Sequence, residues 1–339
     1  MRLTQILCLA LPILLLAPAA EGQEKQTLRV ADVYPAGHFV AEALTKPWMK
    51  EVEARTGGAV TFQYFPAEQL GKGKDLLSLT QSGVADIGLV IPAFVSDKLP
   101  LSAVAELPGG FAEACQGTMA FWKLANGGFL AEKEYAPNGV RVLFATVLPP
   151  YQIFSRTKLD SLKSFTGLKI YSTGGAKDLT VRKLGAVPIR MSTAEVFESL
   201  TRGTIDGGLM SYSTARAYNL QEEVHSATEG QNFGSGVITY VISGDRLAKL
   251  SPDVQKALIE AGDAVTRQAC AKIQQSMQGD VNTLKEAGVE MMTLPDADRT
   301  KISEDMASVG QEWALELDKR GKSGTKALDA FHAALKASN

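Results

Sequence analysis

The side chains of this chain that could do chemistry are few, and their spacing argues against most chemistries. His38, His225 and His332 are the only histidines, and none has a histidine or cysteine partner at metal-ligand spacing. No metal and no cofactor is expected. There is no G-x-S-x-G nucleophile elbow. The run "GKGKDL" (Gly71 to Leu76) lacks phosphate-loop spacing and reads as a helix start with solvated lysines. Cys115 and Cys270 both fall in helical patterns with no flanking histidine, so neither reads as a nucleophile. What stands out is a tyrosine in "GLKIYSTGGAKD" (Gly167 to Asp178). Leu168 to Ile170 reads as a short buried strand, followed by Tyr171, a glycine turn and a helix start. A residue at such a strand end tends to face a crevice, which makes Tyr171 a candidate for holding a ligand.

The elements that must position it alternate between strand and helix. "TLRVADV", "AVTFQYF" and "ADIGLVI" read as strands. Between the first two, His38 to Arg55 reads as a helix with Phe39, Val40, Leu44, Trp48 and Val52 roughly on one face. Pro47 should kink or break it. Gly71 to Gln81 is the next helix. This alternation predicts an α/β fold with largely parallel sheets.

"SLTQSGVADIGLV" (Ser78 to Val90) resembles "SLTRGTIDGGLM" (Ser199 to Met210), each a helix end, a glycine turn, an aspartate and an apolar strand. Ser192 and Glu195 form a capping-box pattern ahead of the second copy. The repeat predicts two similar α/β lobes. Asp86 and Asp206 are expected to fix their turns by accepting backbone N–H groups, rather than to touch a ligand. A long helix follows, with Ser251 as N-cap and Pro252 at its first position. Its apolar stripe from Val254 to Leu284 would reach along both lobes. A short strand and two more helices close the chain.

Composition bounds the setting. Hydrophobic residues make up 45% and charged residues 21%, which fits a globular chain. The net charge of −2 leaves no basic footprint for nucleic acid. "MRLTQILCLALPILLLAPAAEG" has one positive charge, a short apolar run and small residues at its end, the layout of a secretory signal peptide. Export with cleavage near residues 19–22 is expected. In an oxidising compartment Cys115 and Cys270 either pair or stay apart, and two separate buried thiols is the favoured reading. An exported two-lobe α/β chain without a catalytic constellation reads as a solute binder that closes by hinge motion.

Longer stretches then carry a family resemblance. "FPAEQLGKGKDLLSLTQSGVADIGLV", "ELPGGF" and "FTGLKIYSTGGAKDLTVRKLGAVPIRMSTAEVFESLTRGTIDGG" resemble conserved blocks of the solute-binding subunits of TRAP (tripartite ATP-independent periplasmic) transporters, DctP type. The resemblance runs from about Thr27 to the helix after Ser251. It implies an α/β protein of two lobes, each with a central mixed sheet, and a long helix spanning both. Residues 1–22 would be the signal peptide. Residues 27–148 with about 231–265 would form lobe I, and 149–230 with about 266–339 lobe II and the C-terminal helices. It also implies a small organic solute in the interlobe cleft and a membrane permease, driven by an ion gradient, as partner. A sensor that presents the same ligand to a membrane receptor is the alternative within binding proteins. The receptor itself is expected as a monomer.

At three positions the chain departs from a pattern that family members carry. The residue after G-L-K-x is usually an arginine that grips a ligand carboxylate bidentately; here it is Tyr171. A second basic position about 20 residues upstream aligns with Tyr151, and a pocket asparagine aligns with Met210. Three readings follow. The ligand is an amine or amino alcohol held in an aromatic cage of Tyr151, Tyr171, Tyr34, Phe233 and Tyr212, with Asp32 or Glu106 as charge partner. Or it is an acid held by a relocated cation, Arg156 or Arg190. Or it is a neutral polyol, or a carboxylate, held by tyrosine hydroxyls. His38 is either a pocket residue or a helix cap, and Ile91 and Met210 would add apolar contact.

Overall fold

The computed structural model describes residues 25–337, so the expected signal segment lies outside the described residues. From the start, β1 (Gln26–Ala31), β2 (Val60–Phe65), β3 (Ile87–Val90) and β4 (Val140–Val147) build most of one sheet. Helices α1 (Lys46–Arg55), α2 (Leu76–Gln81) and α3 (Ala114–Ala125) lie between them. The chain then crosses into β5 (Gln152–Ser155), β6 (Lys169–Ser172), β7 (Val187–Arg190), β8 (Gly207–Met210) and β9 (Ser226–Thr228). These build a second sheet with α4 (Ala176–Lys183), α5 (Val196–Thr201) and α6 (Tyr212–Ala217). It returns to the first sheet as β10 (Val237–Ser243), runs through α7 (Gly244–Ala248) and α8 (Pro252–Glu286), and adds β11 (Glu290–Met292) to the second. Helices α9 (Asp296–Lys319) and α10 (Gly324–Lys336) follow.

Both sheets are mixed, as expected. The first has the order β2-β1-β3-β10-β4, with β10 antiparallel to both neighbours. The second has the order β11-β9-β5-β8-β6-β7, with β5 antiparallel to β8 and β9. The internal repeat is visible as β2-β1-β3 in one lobe and β7-β6-β8 in the other, all parallel. The two repeat aspartates do the same work in each. Asp86 accepts the backbone N–H of Arg29 on β1, and Asp206 that of Lys169 on β6, both at 2.8 Å. They therefore tie neighbouring strands together rather than their own turns.

Pro47 acts as expected. The helix begins at Phe39, widens over Ala41–Thr45 and returns to α-helical form at Lys46, which places Pro47 in the first turn of α1, just after the wide turn. There its missing N–H costs little. In α8 the Ser251 hydroxyl accepts the Val254 N–H and Pro252 takes the first position. At about 1.5 Å per residue its 35 residues reach roughly 50 Å. The N-terminal half packs on α1, α3 and β4, and the C-terminal part meets α6 of the second lobe, where Asp280 pairs with Arg216 and Ser213. Gly262 allows the close approach to β4, because a Cβ there would stand 1.8 Å from the Leu143 carbonyl oxygen.

The expectation of two separate thiols is corrected. Cys115 on α3 and Cys270 on α8 form a disulfide, with Cα atoms 4.9 Å apart. The helical stripe that buries Cys270 turns it toward α3, a proximity that 155 residues of intervening sequence conceal. Of the segment expected with lobe II, α9 touches α4, whereas α10 lies against α3 and the turn over Leu101–Glu106 in lobe I.

Candidate functional site

The stretch "STGG" explains how the site is built. Gly174 and Gly175 both have positive φ, +92° and +62°, which side-chain-bearing residues rarely adopt. This sharp turn ends β6 and starts α4 at once, so Tyr171, Thr173 and Lys177 all face the gap between the lobes. They line a closed cavity of about 20 Å³ with Tyr34, Ile91 and Glu106. That is room for about one water. Beyond Thr173 lies a wider groove of about 480 Å³, lined by Lys72, Phe94, Arg190 and Ser192 among others.

Tyr171 is 1% exposed and its hydroxyl shares a 2.7 Å hydrogen bond with Thr193 Oγ1. Burial holds its phenol protonated, well above the ordinary range, and does the same for Tyr151 and Tyr34. The three tyrosines are therefore neutral hydrogen-bonding groups, not anions. Tyr34 stacks flat on His38, with centroids 4.0 Å apart and planes 3° apart. Across the cleft, Tyr218 of the second lobe lies 5.8 Å from the same ring. Burial, with Arg216 adding to it, lowers His38 to about 3, so the ring is neutral.

The charged pair of the cavity joins the lobes. Lys177 Nζ of α4 lies 2.6 Å from Glu106 Oε2 of the first lobe, and the two side chains are 1% and 0% exposed. The ammonium also donates to the Ser235 carbonyl at 3.3 Å and stands 5.9 Å from the Tyr151 ring centroid, within cation–π reach. Glu106 Oε1 accepts the Val237 N–H at 3.2 Å, whereas Oε2 makes an ion pair without a well-directed hydrogen bond. The turn that carries Glu106 is fixed at its other end by buried Glu134. That carboxylate accepts N–H groups from Leu101 and Ser102 and the Ser102 hydroxyl, and burial pushes it up to about 7. Thr173 Oγ1 is buried without a hydrogen-bond partner.

The structure brings Tyr34, Tyr151, Tyr171, Ile91 and Met210 together on the cavity wall. His38 supports Tyr34 from behind. The other candidates lie elsewhere. Asp32 is inside lobe I, accepting the Tyr34 N–H and the hydroxyls of Tyr64, Tyr240 and Thr45. Burial raises its carboxyl despite these bonds. Tyr212 donates to the Thr228 carbonyl at 2.7 Å within lobe II. Phe233 is fully buried edge-on to Phe165. Arg190 stands at the outer groove, held by Asp178 at 2.6 Å. Arg156 is exposed beside Gly203. The residues missed from sequence are Lys177, Thr173, Thr193 and Tyr218. Lys177 did leave a signal: a lysine in the first turn of a helix opposes the helix dipole, which marks it as placed for another reason.

Residues 30–316 match the family described as Bacterial extracellular solute-binding protein, family 7 (DctP). Among curated relatives, the "Outer membrane transporter protein TsaT" of Comamonas testosteroni is 24% identical over 98% of each chain. Among solved structures, a TRAP solute binding protein from Rhodoferax ferrireducens in complex with benzoate superposes with a TM-score of 0.85 at 21% identity, covering 93% of this chain and 98% of that one. A TRAP periplasmic solute binding protein from Bordetella bronchiseptica, with bound mandelate, gives 0.84 at 24% identity, covering 93% and 100%. With its two mixed-sheet lobes and the cavity between them, the chain belongs to the DctP-type TRAP solute-binding receptors, bacterial extracellular solute-binding protein family 7.

Proposed function

We propose that this receptor captures a small organic acid, grips its carboxylate with Lys177, and delivers it to an ion-gradient-driven permease after export to the periplasm. One observation carries the reading: among the described residues, the one cation on the cavity wall is a lysine that is 1% exposed and faces the gap between the lobes. It supplies the relocated positive charge that neither Arg156 nor Arg190 is placed to supply. The body of the solute would lie against Tyr34, Tyr151, Tyr171, Ile91, Leu209 and Met210, which suits an apolar or aromatic acid. Thr173 Oγ1, buried without a partner, would gain one. The bound benzoate and mandelate of the two similar receptors point to the same class.

The amine reading has weaker support. Asp32, one of its intended counter-charges, is enclosed by lobe I, and the cage candidates Tyr212 and Phe233 lie away from the cavity. Because the cavity has room for only about one water, solute entry requires the lobes to part and close again about it. A thermal-shift panel of carboxylates, amines and polyols tests the class. A bound solute at 100 times its Kd stabilises by about 2.7 kcal/mol. Acids should raise Tm; a panel in which only amines or polyols do so contradicts the reading.

A further inference from the structure

The charges on the cavity wall sum to zero before a solute enters. Lys177 brings one positive charge and Glu106 one negative, and no other lining residue is ionised. A solute carboxylate therefore arrives as a surplus negative charge in a buried space with little room for water. It comes to lie beside a carboxylate that is itself 0% exposed. Two anions sharing one buried ammonium is an unfavourable arrangement, and like charges in such a site relieve it by holding a proton between them.

We infer that Glu106 takes up one proton for each acid the receptor binds, so that solute and proton are captured together. The inference rests on the acid reading above. The proton comes from bulk water and adds to Glu106 Oε2, the oxygen on the Lys177 side that lacks a well-directed hydrogen bond. Oε1 keeps the Val237 N–H. The new O–H donates to one oxygen of the solute carboxylate, and Lys177 turns its N–H donors to the other. The wall then holds one ammonium and one solute carboxylate, and the charge returns to zero.

The neighbours leave Glu106 as the group that changes. Lys177 faces it from α4, Tyr171 from β6, Tyr151 from the lobe crossing, and Tyr135 from the turn that carries Glu134. Burial keeps all three phenols protonated, and His38, beside the cavity, is already neutral. Glu134, pushed up to about 7, makes its bonds at the far end of the Glu106 turn, off the cavity wall, so its titration is common to wild type and Glu106→Gln. An ammonium that lost its proton would worsen the surplus rather than relieve it.

The test begins with benzoate, 3-hydroxybenzoate, mandelate and pyroglutamate, all monoanions at neutral pH, and takes forward whichever binds the full chain most tightly. Calorimetric titration in two buffers of different ionisation enthalpy counts the protons exchanged. The expected result is uptake of about one proton per solute, with affinity falling as pH rises, by up to about tenfold per pH unit. Glu106→Gln should show neither the uptake nor the slope. An acid that binds wild type with no proton uptake and a flat pH profile overturns the proposal while leaving the acid reading intact. Undiminished uptake in Glu106→Gln overturns it too. If none of the four acids binds, the acid reading fails and the proposal falls with it.

Discussion

Tyr171 brings no charge to the cavity, because burial keeps its phenol protonated. Six positions further on, past the glycine turn, Lys177 brings a positive charge there, paired with Glu106. Removing one member of a buried pair leaves the other uncompensated. Lys177→Met should therefore destabilise the protein by about 3–5 kcal/mol, and adding Glu106→Gln should restore most of that loss. Urea denaturation of the three proteins measures this; a double variant no more stable than the single one would contradict the pairing. His38 gives a pH test. Its pKa in the fold is lowered to about 3 from an ordinary 6.5. Between those values the unfolded chain takes a proton that the native state refuses, so stability falls as pH drops through that window. His38→Phe keeps a ring against Tyr34, and should lose less stability than wild type between about pH 7 and 4. An identical acid slope in both proteins would show that the buried ring is not its source.

At the scale of elements, much was written in the sequence because local rules governed it. The Ser251 cap, the Pro252 start, the Ser192–Glu195 capping box and the break at Pro47 each depend on residues within one or two turns. The Cys115–Cys270 bridge depends on how α3 and α8 lie together, and no local pattern encodes that. Gly262 is a similar case, since its value lies in the Leu143 carbonyl opposite it. In a free helix, Gly→Ala would stabilise by up to about 1 kcal/mol. Here Gly262→Ala should instead destabilise by about 1–3 kcal/mol, because the added methyl meets backbone that cannot rotate away. A rise in thermal stability on this substitution would show that the contact yields more easily than its geometry implies.

For the whole molecule, the two lobes were legible because they repeat: the same helix, turn, aspartate and strand occurs twice, and Asp86 and Asp206 make the same bond in each. The site was legible in part. Tyr171 and Tyr151, singled out by a strand end and a family alignment, line one cavity together with Tyr34, which entered only as a possible cage member. Asp32, Tyr212 and Phe233 have equally suggestive types but point into the lobes, and only packing decides that. Lys177 was hidden because its partner Glu106 comes from the other lobe, 71 residues earlier in the chain (177 minus 106). The central claim is that this lysine holds the solute's carboxylate. Titrating wild type and the Lys177→Met, Glu106→Gln double variant with the tightest-binding acid tests it most directly. Loss of a buried, hydrogen-bonded charge partner costs about 2 kcal/mol or more, so the double variant should bind at least about 30-fold more weakly. Equal affinity in the two proteins would contradict the account.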